Sequence, residues 1–133
     1  MMNCKCMVTP MVTNLKKLID STSNSNLVDP TMYRQLIGSL MYLVNARPDI
    51  CFVVSNLSQF MVELRHVHWV AAKHVLRYLH GTIGYGMIYV LGGEMRLQGY
   101  IDIDRVESAV DRKRTTGCCF SVGSTMISWI SKK

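Results

Sequence analysis

The sequence predicts an α+β chain in which three helices are followed by antiparallel β hairpins, and three observations carry that prediction. Apolar residues recur at i, i+3, i+4 and i+7 between Tyr33 and Leu79. Beyond Gly81 the texture changes to period two, with glycine, β-branched and aromatic residues. An apolar fraction of 49% and a mean hydropathy of +0.15 exclude a solvated, disordered chain, because disorder needs low hydrophobicity together with high net charge. At 133 residues the chain has room for one ordinary domain or two small units with a buried core.

Residues 1–30 show no sustained period of either kind, and the Lys16-Lys17 pair and polar Asp20 to Asn26 stretch suggest a linker. Residues 31–84 form the helical unit. In its first helix Tyr33, Leu36, Ile37, Leu40, Met41 and Val44 share a face, and Gly38 and Ser39 are expected to admit another backbone. Asn45 to Asp49 interrupts the pattern. Pro48 suits the first turn of a second helix, Asp49 complements its positive end, and Ile50, Val53, Val54, Leu57 and Met61 form its stripe. A turn is expected around Leu64 to His66. The third helix then runs from about Val67 to Leu79 and stops at Gly81.

Residues 85–133 form the β unit. Gly92-Gly93 is placed to join Tyr85 to Leu91 with Glu94 to Asp104. Gly123-Ser124 is placed to join Thr116 to Val122 with Thr125 to Ser131. Between the hairpins, Arg105 to Arg114 carries four basic and two acidic residues and reads as an exposed loop.

Fifteen Lys and Arg against nine Asp and Glu give a net charge of +6, a balance suited to polyanionic partners such as nucleic acid. On the third helix Lys73, Arg77 and His80 fall on one face, with His66 further back, which makes a candidate phosphate-binding face. The competing reading is an ordinary solvated face. Five cysteines, an odd number, with no cleavable apolar segment ahead of them, suggest a reducing, intracellular compartment, with cytoplasm and nucleus not distinguished. Cys4, Cys6, Cys51, Cys118 and Cys119 lack zinc-site spacing and read as structural thiols. No apolar run approaches the roughly 18 residues that span a bilayer, so no membrane role is expected.

Strand alternation puts Gln98, Tyr100, Asp102 and Asp104 on one face and Leu97, Ile101 and Ile103 on the other. Two carboxylates on a face can begin a Mg²⁺ site, although two-metal chemistry takes carboxylates from several elements. Solvated acids at a strand end are the alternative.

Extended motifs sharpen these readings. Tyr33-Arg34-Gln35-Leu36-Ile37-Gly38-Ser39-Leu40-Met41-Tyr42-Leu43 is followed by Arg47-Pro48-Asp49-Ile50, Leu57-Ser58-Gln59-Phe60 and His68-Trp69. Then come Ala72-Lys73-His74-Val75-Leu76-Arg77-Tyr78-Leu79, Gly81-Thr82, Gly99-Tyr100-Ile101-Asp102-Ile103-Asp104, Asp111-Arg112-Lys113 and Ile127-Ser128-Trp129. The series resembles the Pol polyprotein of Copia-type retrotransposons over residues 33–133. The resemblance implies that the helical unit is reverse-transcriptase thumb and connection material, and that the β unit opens a ribonuclease H domain. Asp102 would then be a vestigial catalytic residue and the first ligand of an incomplete Mg²⁺ site, with Asp104 a weaker ligand. The family's RNA-directed DNA synthesis and cleavage of RNA in RNA–DNA hybrids need acids that lie outside this sequence. The chain is therefore expected to be a truncated copy, inactive alone, that binds no Mg²⁺ tightly and contacts hybrids or other nucleic acid weakly and without sequence preference.

Local departures point the same way. The family's Asp-Trp-Ala-Gly stands here as Asp104-Arg105-Val106-Glu107, and its Arg-Lys-Ser-Thr as Arg112-Lys113-Arg114-Thr115. A cation at Arg105 beside the metal face would weaken cation binding. The alternative is a domesticated, non-enzymatic module that binds nucleic acid or a protein. An uncovered sheet also leads one to expect self-association through its exposed edge.

Overall fold

A computed structural model describes residues 4–11, 29–89, 92, 95–104 and 115–132, with the side chains of 103, 104, 115 and 132 left aside. The order is α1 (Pro30–Leu43), a 3₁₀ turn (Pro48–Ile50), α2 (Cys51–Ser58), α3 (His66–Gly81), β1 (Leu97–Asp104), β2 (Thr115–Val122) and β3 (Thr125–Lys132). Three helices precede one three-stranded antiparallel sheet in the order β1-β2-β3, an α+β arrangement.

Helix α1 starts where its chemistry allows. Asp29 accepts the Thr31 N–H at 2.8 Å, and Pro30 occupies the first turn, where a missing N–H costs nothing. Tyr33, Ile37 and Leu40 are buried, whereas Met41, expected on the same stripe, is half exposed because the neighbouring helices reach only one side of α1. Gly38 also departs from expectation: a Cβ there would meet nothing within 4 Å, so no backbone uses the gap. Pro48 and Asp49 open a 3₁₀ turn that leads into α2. Ile50, Val53, Val54 and Leu57 close over the α1 face together with Ala72, Val75 and Tyr78 of α3. Fully burying side chains of this kind stabilises a fold by about 1.5–3 kcal/mol each, so this three-helix contact is the main core.

Tyr33 is fully buried, and its hydroxyl donates to the Leu57 carbonyl at 2.8 Å, joining α1 to α2. Burial pushes its phenol pKa up. His68 is buried beneath Phe60, with ring centroids 3.9 Å apart, and its Nδ1 accepts the Arg65 N–H at 3.1 Å. His68 is thus a core residue at the start of α3.

The second hairpin forms as expected, with Gly123 at φ 59° in the turn between β2 and β3. The first does not. Tyr85 to Tyr89 carries no strand, and β1 pairs with β2, placing Tyr100 opposite Cys119 and Asp102 opposite Gly117. The physical reason is cover: Tyr85, Ile88 and Tyr89 are mostly exposed, so pairing them would bury little, while β2 offers β1 an eight-residue ladder. Gly93, Lys16-Lys17, the polar 20–26 stretch and the 105–114 loop lie outside the described residues.

Among the described residues, hydrogen bonds tie the sheet to the helices. The indole of Trp129 on β3 donates to the Val44 carbonyl at 2.8 Å, and the Ser55 hydroxyl on α2 donates to the Ser131 carbonyl at 2.8 Å. Cross-strand pairing puts Tyr100, Cys119 and Trp129 in one row, and Trp129 of that row reaches the helices. Leu97, Ile101 and Ile130, at the alternate positions, are largely exposed.

Candidate functional site

Asp102 sits on β1, at an edge of the described sheet, two residues beyond Tyr100 and on the same side of the strand. The Tyr100 hydroxyl donates to Gln98 Oε1 at 3.1 Å, as expected for residues sharing a face. Between the sheet and α2 lies an open cleft of about 430 Å³, walled by Pro48, Cys51 and Phe52 on the helical side and by Tyr100, Ile101, Asp102, Trp129 and Ile130 on the sheet side. Its lining is mostly apolar and aromatic. Burial pushes the Cys51 thiol pKa up, which suits a packing role rather than a reactive one.

The family-implied Mg²⁺ can be tested against this donor set. Mg²⁺ takes near-octahedral oxygen coordination, usually including one or two carboxylates. Asp102 brings one carboxylate into a cleft whose other walls are rings, thiols and aliphatic groups, and the Asp104 side chain lies outside the described residues. Among the described residues no three His, Cys, Asp or Glu side chains come together to hold a metal. The described residues do not fit the ion.

Lys73, Arg77 and His80 do lie along α3, but residues 4–11 run beside them. Arg77 Nε donates to the Lys5 carbonyl at 2.8 Å, while the Met7 N–H donates to the Arg77 carbonyl at 3.4 Å. His80 Nδ1 lies 3.2 Å from Cys6 Sγ, and His74 Nε2 lies 2.9 Å from the Thr9 carbonyl. Lys73 is exposed, with its ammonium 5.6 Å from the Trp69 ring centre. Only Lys73 of the three presents its cation without a contact to that segment among the described residues. Residues 4–11, expected to belong to a linker, act here as a cover for α3.

Sequence reasoning also missed a polar cluster at the end of α3. Arg47, buried, donates to both carboxylate oxygens of Asp49 at 2.9 and 2.8 Å, and to the carbonyl and hydroxyl oxygens of Thr82 at 3.0 and 2.7 Å. Tyr78 donates its hydroxyl to Asp49 Oδ2 at 2.7 Å. The Arg47 hydrogen bonds, assisted by that of Tyr78, hold the Asp49 carboxyl below the usual carboxylate range. The signal available in sequence was the Arg47-Pro48-Asp49 triplet, but Thr82 lies 35 residues away. With its partners satisfied, the cluster locks the α1–α2 connection onto α3.

Comparison with known proteins adds a relationship. The chain is 41% identical over all 133 residues to the retrovirus-related Pol polyprotein from transposon RE2 of Arabidopsis thaliana, of which it spans 9%. It is 36% identical over 137 aligned positions to the corresponding polyprotein from transposon TNT 1-94 of Nicotiana tabacum, spanning 10% of it. A much shorter protein, the secreted RxLR effector protein 161 of Plasmopara viticola, is 40% identical over 102 residues, which make up 76% of this chain and 72% of that protein. No family profile matches the chain, and no solved structure does.

Proposed function

This chain is related along its whole length to a region of Copia-type retrotransposon Pol polyproteins, and from that relationship we propose that it is reverse-transcriptase connection material joined to the first strands of a ribonuclease H-like sheet. In this reading the described stretch cleaves nothing by itself. Its remaining task is weak, sequence-independent contact with a nucleic-acid duplex through α3. The observation that carries the reading is that, among the described residues, Asp102 is the one carboxylate lining the cleft, where hydrolysis through two metals would need several acids.

Duplex contact rests on charge. A net charge of +6 and the exposed Lys73 supply a phosphate-facing surface, and Arg77 adds a second cation half buried beside it. Such contacts release counterions, so binding weakens steeply with salt. The test measures RNA–DNA hybrid affinity against salt for the parent and a Lys73→Ala, Arg77→Ala double variant. The double variant is expected to bind more weakly with a log–log slope shallower by about 1–2. An unchanged slope removes this face from the proposal.

A further inference from the structure

Cys6 is the exposed one among the five cysteines, and its Sγ lies 3.2 Å from Nδ1 of His80, 74 residues away in sequence. The pairing is held by the backbone on either side. Arg77 Nε grips the Lys5 carbonyl, the Met7 N–H reaches the Arg77 carbonyl, and Gly81 clears the floor beneath the thiol. A Cβ at Gly81 would stand 2.9 Å from the Cβ of Cys6, closer than packed carbons approach, so the glycine makes this contact possible.

Reactive thiols are partly exposed and sit beside a base or a cation, because the thiolate is the nucleophile. Cys6 has both. The groups beside it are the His80 ring, in the last turn of α3, and Arg77, whose Nε is held on the neighbouring Lys5 carbonyl at 2.8 Å. The other four thiols are set apart: Cys4, Cys51, Cys118 and Cys119 are all half-buried.

We propose that Cys6 and His80 form a thiol-modification site that takes low-molecular-weight disulfides by thiol–disulfide exchange. His80 accepts the thiol proton, and the Cys6 sulfur attacks one sulfur of the disulfide. A new S–S bond forms as the old one breaks, and the departing thiolate takes up the proton. The protein thiol is oxidised to a mixed disulfide and half of the small disulfide is reduced to a thiol, so no further oxidant enters.

The experiment incubates the full chain with glutathione disulfide at several pH values, quenches with an alkylating agent and maps the adduct on each cysteine by mass spectrometry. The parent is expected to carry the adduct first on Cys6. At neutral pH and below, His80→Ala is expected to slow that reaction by about tenfold, less than the roughly hundredfold a positioned base contributes elsewhere, because an ordinary thiol is already a few per cent thiolate at pH 7. At alkaline pH the two rates converge, because hydroxide then removes the proton. His80 is exposed, so its loss leaves the core intact, and Cys4, on the same segment, serves as the internal standard for local loosening. Equal adduct formation on Cys4 and Cys6, or a Cys6 rate in His80→Ala that matches or exceeds the parent at neutral pH, overturns the proposal.

Discussion

Arg47 carries a charge into the interior, and every contact around it limits the cost. A buried guanidinium is tolerated only when its donors are satisfied, and here Asp49 and Thr82 take them while the Tyr78 and Tyr85 rings lie 5.8 and 5.9 Å from it. Removing Asp49 would therefore cost more than one hydrogen bond, since it strands the cation. Because Asp49 is itself a third exposed, we expect Asp49→Asn to destabilise by about 1–2 kcal/mol, below the range for a fully buried pair. Its pH signature follows from the depressed carboxyl. The stabilisation is complete above the unfolded carboxyl value of about 3.9 and is lost as pH falls through the lower folded value. Thermal melts of parent and Asp49→Asn should accordingly differ near neutral pH and converge as acidification protonates the folded carboxyl; a gap that persists there would show that the ionised carboxylate is not the source. Asp102, by contrast, was legible from alternation alone, because strand geometry fixes its side of the sheet. Arg47 was not, since a buried cation needs partners from a segment 35 residues away.

Among the elements, the helices were readable because each buries one stripe and the 3.6-residue period records it. The apolar positions at 33, 37, 40, 50, 53, 54, 57, 72, 75 and 78 are the ones that meet in the core. The strands were half readable. Gly123 specified its turn through a positive φ, but the segment at 85–89 has strand-like composition without a partner, and composition cannot supply one. Residues 4–11 have no period, so their docking on α3 could not be anticipated; it rests on backbone hydrogen bonds and on the space at Gly81. Gly81→Ala isolates that dependence. Alanine favours the helix by about 1 kcal/mol over glycine, yet its methyl would collide with Cys6. The expected result is faster hydrogen exchange at the Met7 amide with helix content unchanged, whereas unaltered exchange would mean that the segment adapts without leaving.

At the scale of the molecule, a helical core and a small sheet are joined through Trp129 and Ser55, and the sheet carries Leu97, Ile101 and Ile130 largely exposed. Apolar strand faces and unpaired edges favour pairing with a second copy of the chain. Sedimentation across a concentration series should show association that Ile101→Lys reduces; a monomer throughout, in parent and variant alike, would argue against that surface. The same architecture frames Asp102, whose open cleft is lined, among the described residues, mainly by aromatic and aliphatic groups and by no second acid. The most direct measurement is cleavage of an RNA–DNA hybrid by the full chain in Mg²⁺, run beside Asp102→Asn. The account predicts no cleavage above background by either protein; cleavage by the parent that disappears in Asp102→Asn would contradict it.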